Sequence, residues 1–79
     1  MKRPFPPAPT RPNVGKCLEY ITRTTIGFTF ADGALYRCEG RATPAGGSTA
    51  TEHVTAEGLD YRRVLHEFAQ RVAQIGGAA

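Results

Sequence analysis

The last third of the chain carries an apolar stripe that fits an α-helix. Large apolar side chains recur there at spacings of four, three, four and three positions, at Tyr61, Leu65, Phe68, Val72 and Ile75. This spacing places them on one side of a helix. We therefore expect a helix over about residues 56–75, with Thr55 as N-cap and Gly76-Gly77 at its C-terminal end. Its apolar face must be buried against another element.

Residues 16–30 are expected to supply that element, because their apolar side chains alternate with polar ones. The large apolar residues at even positions are Leu18, Tyr20, Ile26, Phe28 and Phe30. Such alternation predicts strands with one buried face. Thr22 and Thr24 interrupt it, so we expect either one bent strand or two strands. Ile21 is apolar on the polar side and does not fit the alternation.

Asp32-Gly33 is the strongest turn signal in the chain and predicts a β-hairpin. A two-residue turn would place Phe28 opposite Arg37. A three-residue loop over 31–33, with its glycine in the left-handed region, would place Phe28 opposite Tyr36. We expect the three-residue loop, because it keeps the apolar face continuous.

The expected fold class is α+β, a three- to four-stranded antiparallel sheet with one C-terminal helix packed on one face. Further strands are expected over about 34–42 and 49–54, separated by a loop rich in Gly and Pro. The side chains expected beneath the helix are Leu18, Tyr20, Ile26, Phe28, Phe30, Tyr36 and Cys38. The exposed edge of such a sheet can pair with a second copy, so a monomer and a weak dimer both remain open.

Residues 1–15 are expected to form a Pro-rich basic arm, and residues 16–79 a single α+β domain. Five prolines within residues 1–13 favour an extended, solvated tail. Residues 1–16 carry four basic residues and no acid, a charge of +4, whereas residues 17–79 carry six Arg and seven acids, a charge of −1. The folded part is therefore nearly neutral, although nucleic-acid-binding domains usually present a basic face.

The length and the apolar runs of the chain limit its function. A chain of 79 residues is one domain at most and is too short to enclose a large substrate cavity beside its core. No run approaches the roughly 18 apolar residues of a membrane span, and no apolar stretch follows the basic N-terminus as in a signal peptide. We therefore expect a protein of the cytoplasm, where thiols stay reduced.

No catalytic, cofactor or metal site is expected. Cys17, Cys38, His53 and His66 are separated by 21, 15 and 13 positions, whereas zinc ligands usually occur in close pairs. The segment 46–50 lacks the final glycine of a nucleophile elbow, and there is no glycine-rich phosphate loop. We expect that the protein is not an enzyme.

The polar face of the expected sheet is the first candidate for a binding surface. It is predicted to carry Arg23, Thr25, Thr29, Arg37, Glu39 and Arg41. The residues expected to bind a partner are Arg23, Arg37, Arg41, Arg62, Arg63 and Lys16. Arginines and threonines on a sheet suit the major groove of duplex DNA. The alternative is an ordinary solvated face on which glutamates pair with the arginines.

The whole-chain layout resembles the small single-domain inhibitors of phages and mobile elements, the anti-CRISPR proteins in particular. The features that carry the resemblance are the short α+β layout, the Asp32-Gly33 hairpin, the solitary C-terminal helix and the missing catalytic motif. It implies a non-catalytic protein that binds a Cas effector complex and blocks target DNA binding by occlusion.

Three strands followed by a helix are also similar to the arm-type DNA-binding domains of phage integrases and to plant AP2 domains. That resemblance implies a duplex-DNA-binding module that uses the exposed sheet face and the basic arm. An enzyme would require a site assembled at an oligomer interface, and we rank it third.

Overall fold

The protein is α+β, and its three-stranded antiparallel sheet carries a C-terminal helix packed on one face, as expected. The computed structural model describes residues 7–43 and 51–75. Within them the elements follow in the order α1 (Val14–Thr24), β1 (Ile26–Asp32), β2 (Tyr36–Ala42), β3 (Glu52–Gly58) and α2 (Tyr61–Ile75). The strands lie side by side in the order β1-β2-β3.

The segment before β1 is helical, so the strand expected from residue 16 is wrong. Asn13 caps α1, because its Oδ1 accepts a hydrogen bond from the backbone N–H of Lys16 at 3.0 Å. Cys17 and Ile21 are fully buried, and Tyr20 is nearly so. These positions share one face of a helix. The helix also explains Ile21, which faces outward on a strand and inward on α1.

Threonines in the last turn of α1 hydrogen-bond to the helix backbone instead of favouring a strand. The hydroxyl of Thr22 donates to the Leu18 carbonyl at 2.9 Å, and that of Thr24 donates to the Tyr20 carbonyl at 2.7 Å. Such back-bonding accommodates β-branched polar residues on a helix. Leu18, which was expected in the core, remains 36% exposed on α1.

The β1–β2 hairpin forms at the expected place, but its loop lies two residues later than expected. Asp32 pairs with Tyr36, so the loop covers 33–35 and not 31–33. It closes with the Gly33 N–H donating to the Leu35 carbonyl at 3.2 Å, and Gly33 does not adopt a positive φ. A shift of two residues preserves the face of each side chain, so Phe28 still points towards the helix.

A bulge at Gly27 changes the face on which β1 begins. The pairing slips between Ile26, which lies opposite Arg41, and Thr29, which lies opposite Glu39. Gly27 has φ 69°, in the left-handed region that favours glycine. The extra residue turns Ile26 to the outer face, where it is 65% exposed, so its expected place beneath the helix is wrong.

The boundary between β3 and α2 lies later than the sequence pattern predicted. β3 pairs with β2 along its whole length, and Thr55, the expected helix cap, lies within it opposite Glu39. Asp60 caps α2 instead, because its Oδ1 accepts from the backbone N–H of Arg62 at 3.1 Å. Residues 49–50 of the expected strand and the expected Gly76-Gly77 cap lie outside the described residues.

The core lies where α2 meets β2, β3 and α1. Its described members include Cys17, Ile21, Cys38, Ala42, Val54, Ala56, Val64, Leu65, Phe68, Ala69 and Val72. The Phe68 ring lies 5.4 Å from that of Phe28. A Cβ at Gly40 would lie 3.1 Å from Cζ of Phe68, so the absent side chain lets this ring approach the sheet.

Part of the Pro-rich arm lies on the helices and not in solvent. Ala8 is 8% exposed and belongs to the core. The Pro9 carbonyl accepts from Nε2 of His66 at 3.0 Å and from Nε2 of Gln70 at 3.1 Å. A carbonyl oxygen can only accept, so Nε2 of His66 carries the hydrogen. The solvated tail predicted from the prolines is therefore wrong for this part, and residues 1–6 lie outside the described residues.

Candidate interaction surface

The basic residues expected to bind a partner lie on three separate surfaces. Arg37 and Arg41 lie on the outer face of β2, Lys16 and Arg23 on α1, and Arg62 and Arg63 in the first turn of α2. Placing Arg23 on the sheet face was wrong, because the segment that carries it is a helix. The structure therefore does not bring the six side chains into one site.

The outer face of the sheet is electrically balanced. Its strand pairings place nine residues there, namely Ile26, Thr29, Ala31, Arg37, Glu39, Arg41, His53, Thr55 and Glu57. Glu39 lies 3.0 Å from the Arg37 guanidinium and 3.7 Å from Nε2 of His53. Two arginines and two glutamates give this face no net charge when His53 is neutral. A surface that binds DNA phosphates needs an excess of cations, which this face lacks.

The basic residues of α1 lie beside the arm. Lys16, Arg23, Tyr20, Pro7 and Pro9 contribute to the lining of a shallow depression of about 330 Å³. The Arg23–Glu19 pair is 3.8 Å apart and 70% exposed on both sides, so it contributes little to stability. Burial raises the pKa of the Tyr20 phenol above its usual value, so the hydroxyl stays protonated at neutral pH.

Aromatic rings cluster at the hairpin end of the molecule, on the side of the sheet that faces α2. The ring centroids of Phe30 and Tyr36 are 5.8 Å apart, as are those of Tyr36 and Tyr61. The Arg62 guanidinium lies 5.8 Å from the centroid of Tyr61. Leu35 and Leu59 lie at the same end of the sheet, because they adjoin the paired residues Tyr36 and Gly58. We define Phe30, Tyr36, Tyr61 and Arg62 with Leu35 and Leu59 as the aromatic patch.

The aromatic patch contains most of the large apolar side chains that the described residues expose. Leu59 is 80% exposed, Leu35 42%, Phe30 41% and Tyr61 39%. Single exposed apolar side chains are normal, whereas clustered ones mark interaction sites. The sequence interpretation missed this surface because it assigned every Phe and Tyr to the core. The available signal was Leu35 and Leu59, two large apolar residues within turns.

Residues 7–43 and 51–75 contain two Cys, two His and seven acidic residues, the residue types that could form a metal or catalytic site. No three His, Cys, Asp or Glu side chains converge there to hold a metal ion, and the core they form contains no buried polar or charged side chain. Burial raises the pKa of the Cys38 thiol to about 11, so the thiol stays protonated at neutral pH. No helix in these ranges is long and apolar enough to cross a membrane.

Comparison with known proteins identifies no relative. No family model, no curated protein and no solved structure matches the chain.

Proposed function

We propose that the protein is a non-catalytic binding protein that docks on a larger protein through the aromatic patch and blocks a site there. The observation that carries this proposal is the clustering of four exposed large apolar side chains at one end of a small domain, beside a cation. Tyr and Arg are the residue types that dominate binding energy in protein interfaces.

The aromatic patch combines a large potential gain with a small ordering cost. Burying a fully exposed leucine side chain stabilises a complex by about 1.5–3 kcal/mol, and Leu59 is 80% exposed. Phe30 and Tyr36 lie on strands and Tyr61 lies on a helix, so these rings are held in place before a partner arrives. Binding through a preorganised surface loses less conformational entropy.

The charges beside the patch indicate the chemistry of the partner. The Arg62 guanidinium lies 5.8 Å from the centroid of the Tyr61 ring, and Asp60 is the acid that interacts with it electrostatically. Arg63 is 86% exposed and lies 3.8 Å from Asp60, a weak pairing. The partner surface that would complement the aromatic patch is an apolar pocket bordered by carboxylates. An acidic patch near the DNA channel of a Cas effector complex, the partner implied by the whole-chain resemblance, would offer such a border, so this partner is tested first.

The alternative, a duplex-DNA-binding module, receives less support. It places Arg37 and Arg41 in the major groove, but Glu39 pairs with Arg37 and Glu57 lies opposite Arg37 on the neighbouring strand. Both carboxylates would be brought towards phosphates or base edges. Their repulsion offsets the attraction of the two arginines.

The proposal is tested by the effect of the purified protein on target-DNA binding by purified Cas effector complexes. We expect the unmodified protein to block DNA binding and Leu59→Asp to weaken this inhibition at least about tenfold, because a leucine is lost and a charge is buried. Leu59→Asp should fold normally, because an acid before the start of α2 interacts favourably with the helix dipole.

The matched control is Ile26→Asp, which makes the same kind of change at a 65% exposed residue on the opposite face of the sheet. It should inhibit as the unmodified protein does. Effector complexes that bind target DNA equally well in the presence of the protein would refute the Cas partner. Equal inhibition by Leu59→Asp would refute docking through the aromatic patch.

A second titration distinguishes the DNA alternative. Labelled duplex DNA of random sequence is titrated with the protein at low and moderate salt, and fluorescence anisotropy is recorded. We expect no tight binding at either salt concentration. Binding that falls steeply with salt and is weakened by Arg37→Ala and Arg41→Ala would favour the DNA-binding module, because each phosphate contact releases a counterion.

A further inference from the structure

The outer edge of β1 carries only two of the features that usually protect a sheet edge, the bulge at Gly27 and the charge of Asp32. β1 pairs with β2 on one side, and no other described segment pairs with it. From Ile26 to Asp32 it contains no Lys, Arg or Pro, and its only charge is Asp32 at the hairpin end. Natural edge strands are commonly blocked by lysine, proline, bulges, inward charges or a covering element. The bulge at Gly27 distorts the start of β1 and leaves residues 28–32 available for regular pairing.

The other edge of the sheet differs in its charge. β3 carries Glu52, His53 and Glu57. Two copies paired through β3 would join two strands that carry two carboxylates each, whereas two copies of β1 carry one carboxylate each. Self-association is therefore favoured at β1 and disfavoured at β3.

The side chains of β1 add an apolar surface to the free backbone edge. Six of its seven residues are exposed, and only Phe28 is partly buried, against Phe68. α2 lies over β3 and β2, so Phe30 remains 41% exposed although it points to the helix side. A neighbouring strand would cover part of this surface while pairing the free backbone groups.

We propose that a second copy of this chain pairs with β1 in antiparallel orientation about a two-fold axis at Phe30, which gives a continuous six-stranded sheet. This register places Phe30 opposite Phe30 of the second copy and Phe28 opposite Asp32 of the second copy. No like charges face each other, and aromatic cross-strand pairs stabilise a sheet. The same strand serves both copies, as a two-fold interface requires.

The size of this interface predicts a weak dimer. A stable dimer usually buries about 800 Å² per copy. The molecule has 5329 Å² of accessible surface, so such an interface would occupy about a seventh of it. One strand edge with Ile26 and Phe30 supplies less than that, so a dissociation constant in the micromolar range or weaker is expected. The dimer shares Phe30 with the aromatic patch but does not use Leu59 or Tyr61, so the Leu59→Asp test of docking and the test of dimerisation can fail separately.

The test is sedimentation velocity of the purified full chain over a range of micromolar concentrations, comparing Thr29→Lys with His53→Lys. Both positions are exposed on the outer face and adjoin Glu39, so each new lysine has a nearby carboxylate within its own copy. In the proposed register the lysines introduced by Thr29→Lys in the two copies approach each other across the two-fold axis. The lysine introduced by His53→Lys lies on the opposite edge of the sheet.

We expect a concentration-dependent dimer for the unmodified protein and for His53→Lys, and a dissociation constant raised on the order of tenfold for Thr29→Lys. A monomer at every concentration would overturn the proposal, as would equal dimerisation by the two variants. If Thr29→Lys fails to fold, amide hydrogen exchange of the unmodified protein tests whether β1 forms the dimer interface. Protection of β1 amides must rise with concentration, and unchanged protection would overturn the proposal.

Discussion

The assignment of residues 14–24 to a helix predicts opposite outcomes for two neighbouring apolar substitutions. Ile21 is fully buried on α1, whereas Leu18 is 36% exposed. On the strand that the alternation pattern predicted, Leu18 would face the core and Ile21 the solvent. Ile21→Ala and Leu18→Ala therefore distinguish the two structures.

The size of the difference follows from burial. Truncation of a buried isoleucine to alanine costs about 2–5 kcal/mol, because apolar contact is lost and a cavity remains. Leu18→Ala removes a partly exposed side chain and introduces the residue most favourable for a helix, so a cost of about 1 kcal/mol or less is expected. A domain of this length has a total stability of roughly 4–12 kcal/mol, so the first substitution removes a large share of it.

The assay is urea denaturation followed by far-ultraviolet circular dichroism. With a denaturant dependence of about 1 kcal/mol per molar urea, Ile21→Ala should lower the midpoint by about 2 M or more, and Leu18→Ala by about 1 M or less. A larger loss for Leu18→Ala than for Ile21→Ala would refute the helix and restore the strand.

Three further predictions concern the cap, the bulge and a buried thiol. Asn13→Ala should destabilise the protein by about 1 kcal/mol and Asn13→Asp by much less, since only the latter can still cap α1; urea midpoints check both. Gly27→Ala should cost about 1–2 kcal/mol in the same assay, because its positive φ disfavours a side chain although space is free around it. Burial raises the pKa of Cys38 from 9.0 to about 11, so its thiol favours the folded state below pH 9 and this contribution is lost as pH rises to 11. The urea midpoint of the unmodified protein should therefore fall more steeply over that range than the midpoint of Cys38→Ala, and parallel profiles would contradict the burial effect.

The elements marked by a regular apolar spacing or by a strong turn signal were predictable from the sequence. The stripe from Tyr61 to Ile75 forms α2, and the Asp32-Gly33 signal marks the β1–β2 hairpin. Their boundaries were less predictable, because several residues compete for each one. Asp60 caps α2 although Thr55 has a suitable side chain, since pairing with β2 extends β3 to Gly58.

α1 was mispredicted because its apolar residues fit both the two-residue period of a strand and the 3.6-residue period of a helix. Leu18 and Tyr20 alternate in phase with the apolar residues of β1, and threonines favour strands when considered alone. Cys17 and Ile21 complete a helical face, and tertiary packing against α2 determines the outcome. The misfit of Ile21 with the alternation was the available indication of a helix.

The candidate surface was only partly predictable. The outward positions of Arg37 and Arg41 follow from the alternation of β2. The bulge at Gly27 and the exposed rings of the aromatic patch do not follow from it. The exposure of these rings depends on how far α2 extends over the sheet, which no local pattern encodes.

The contact between Pro9 and α2 has a consequence for the order of events during synthesis. The acceptor at Pro9 is separated from its donor on His66 by 57 residues. At translation rates of 5–20 residues per second, the two groups are made roughly 3–11 seconds apart. During that interval the nascent N-terminal segment has no docking surface, and α1 has no α2 to pack on. The native arrangement therefore forms only after the last helix leaves the ribosome, so we expect the growing chain to remain accessible to chaperones until then.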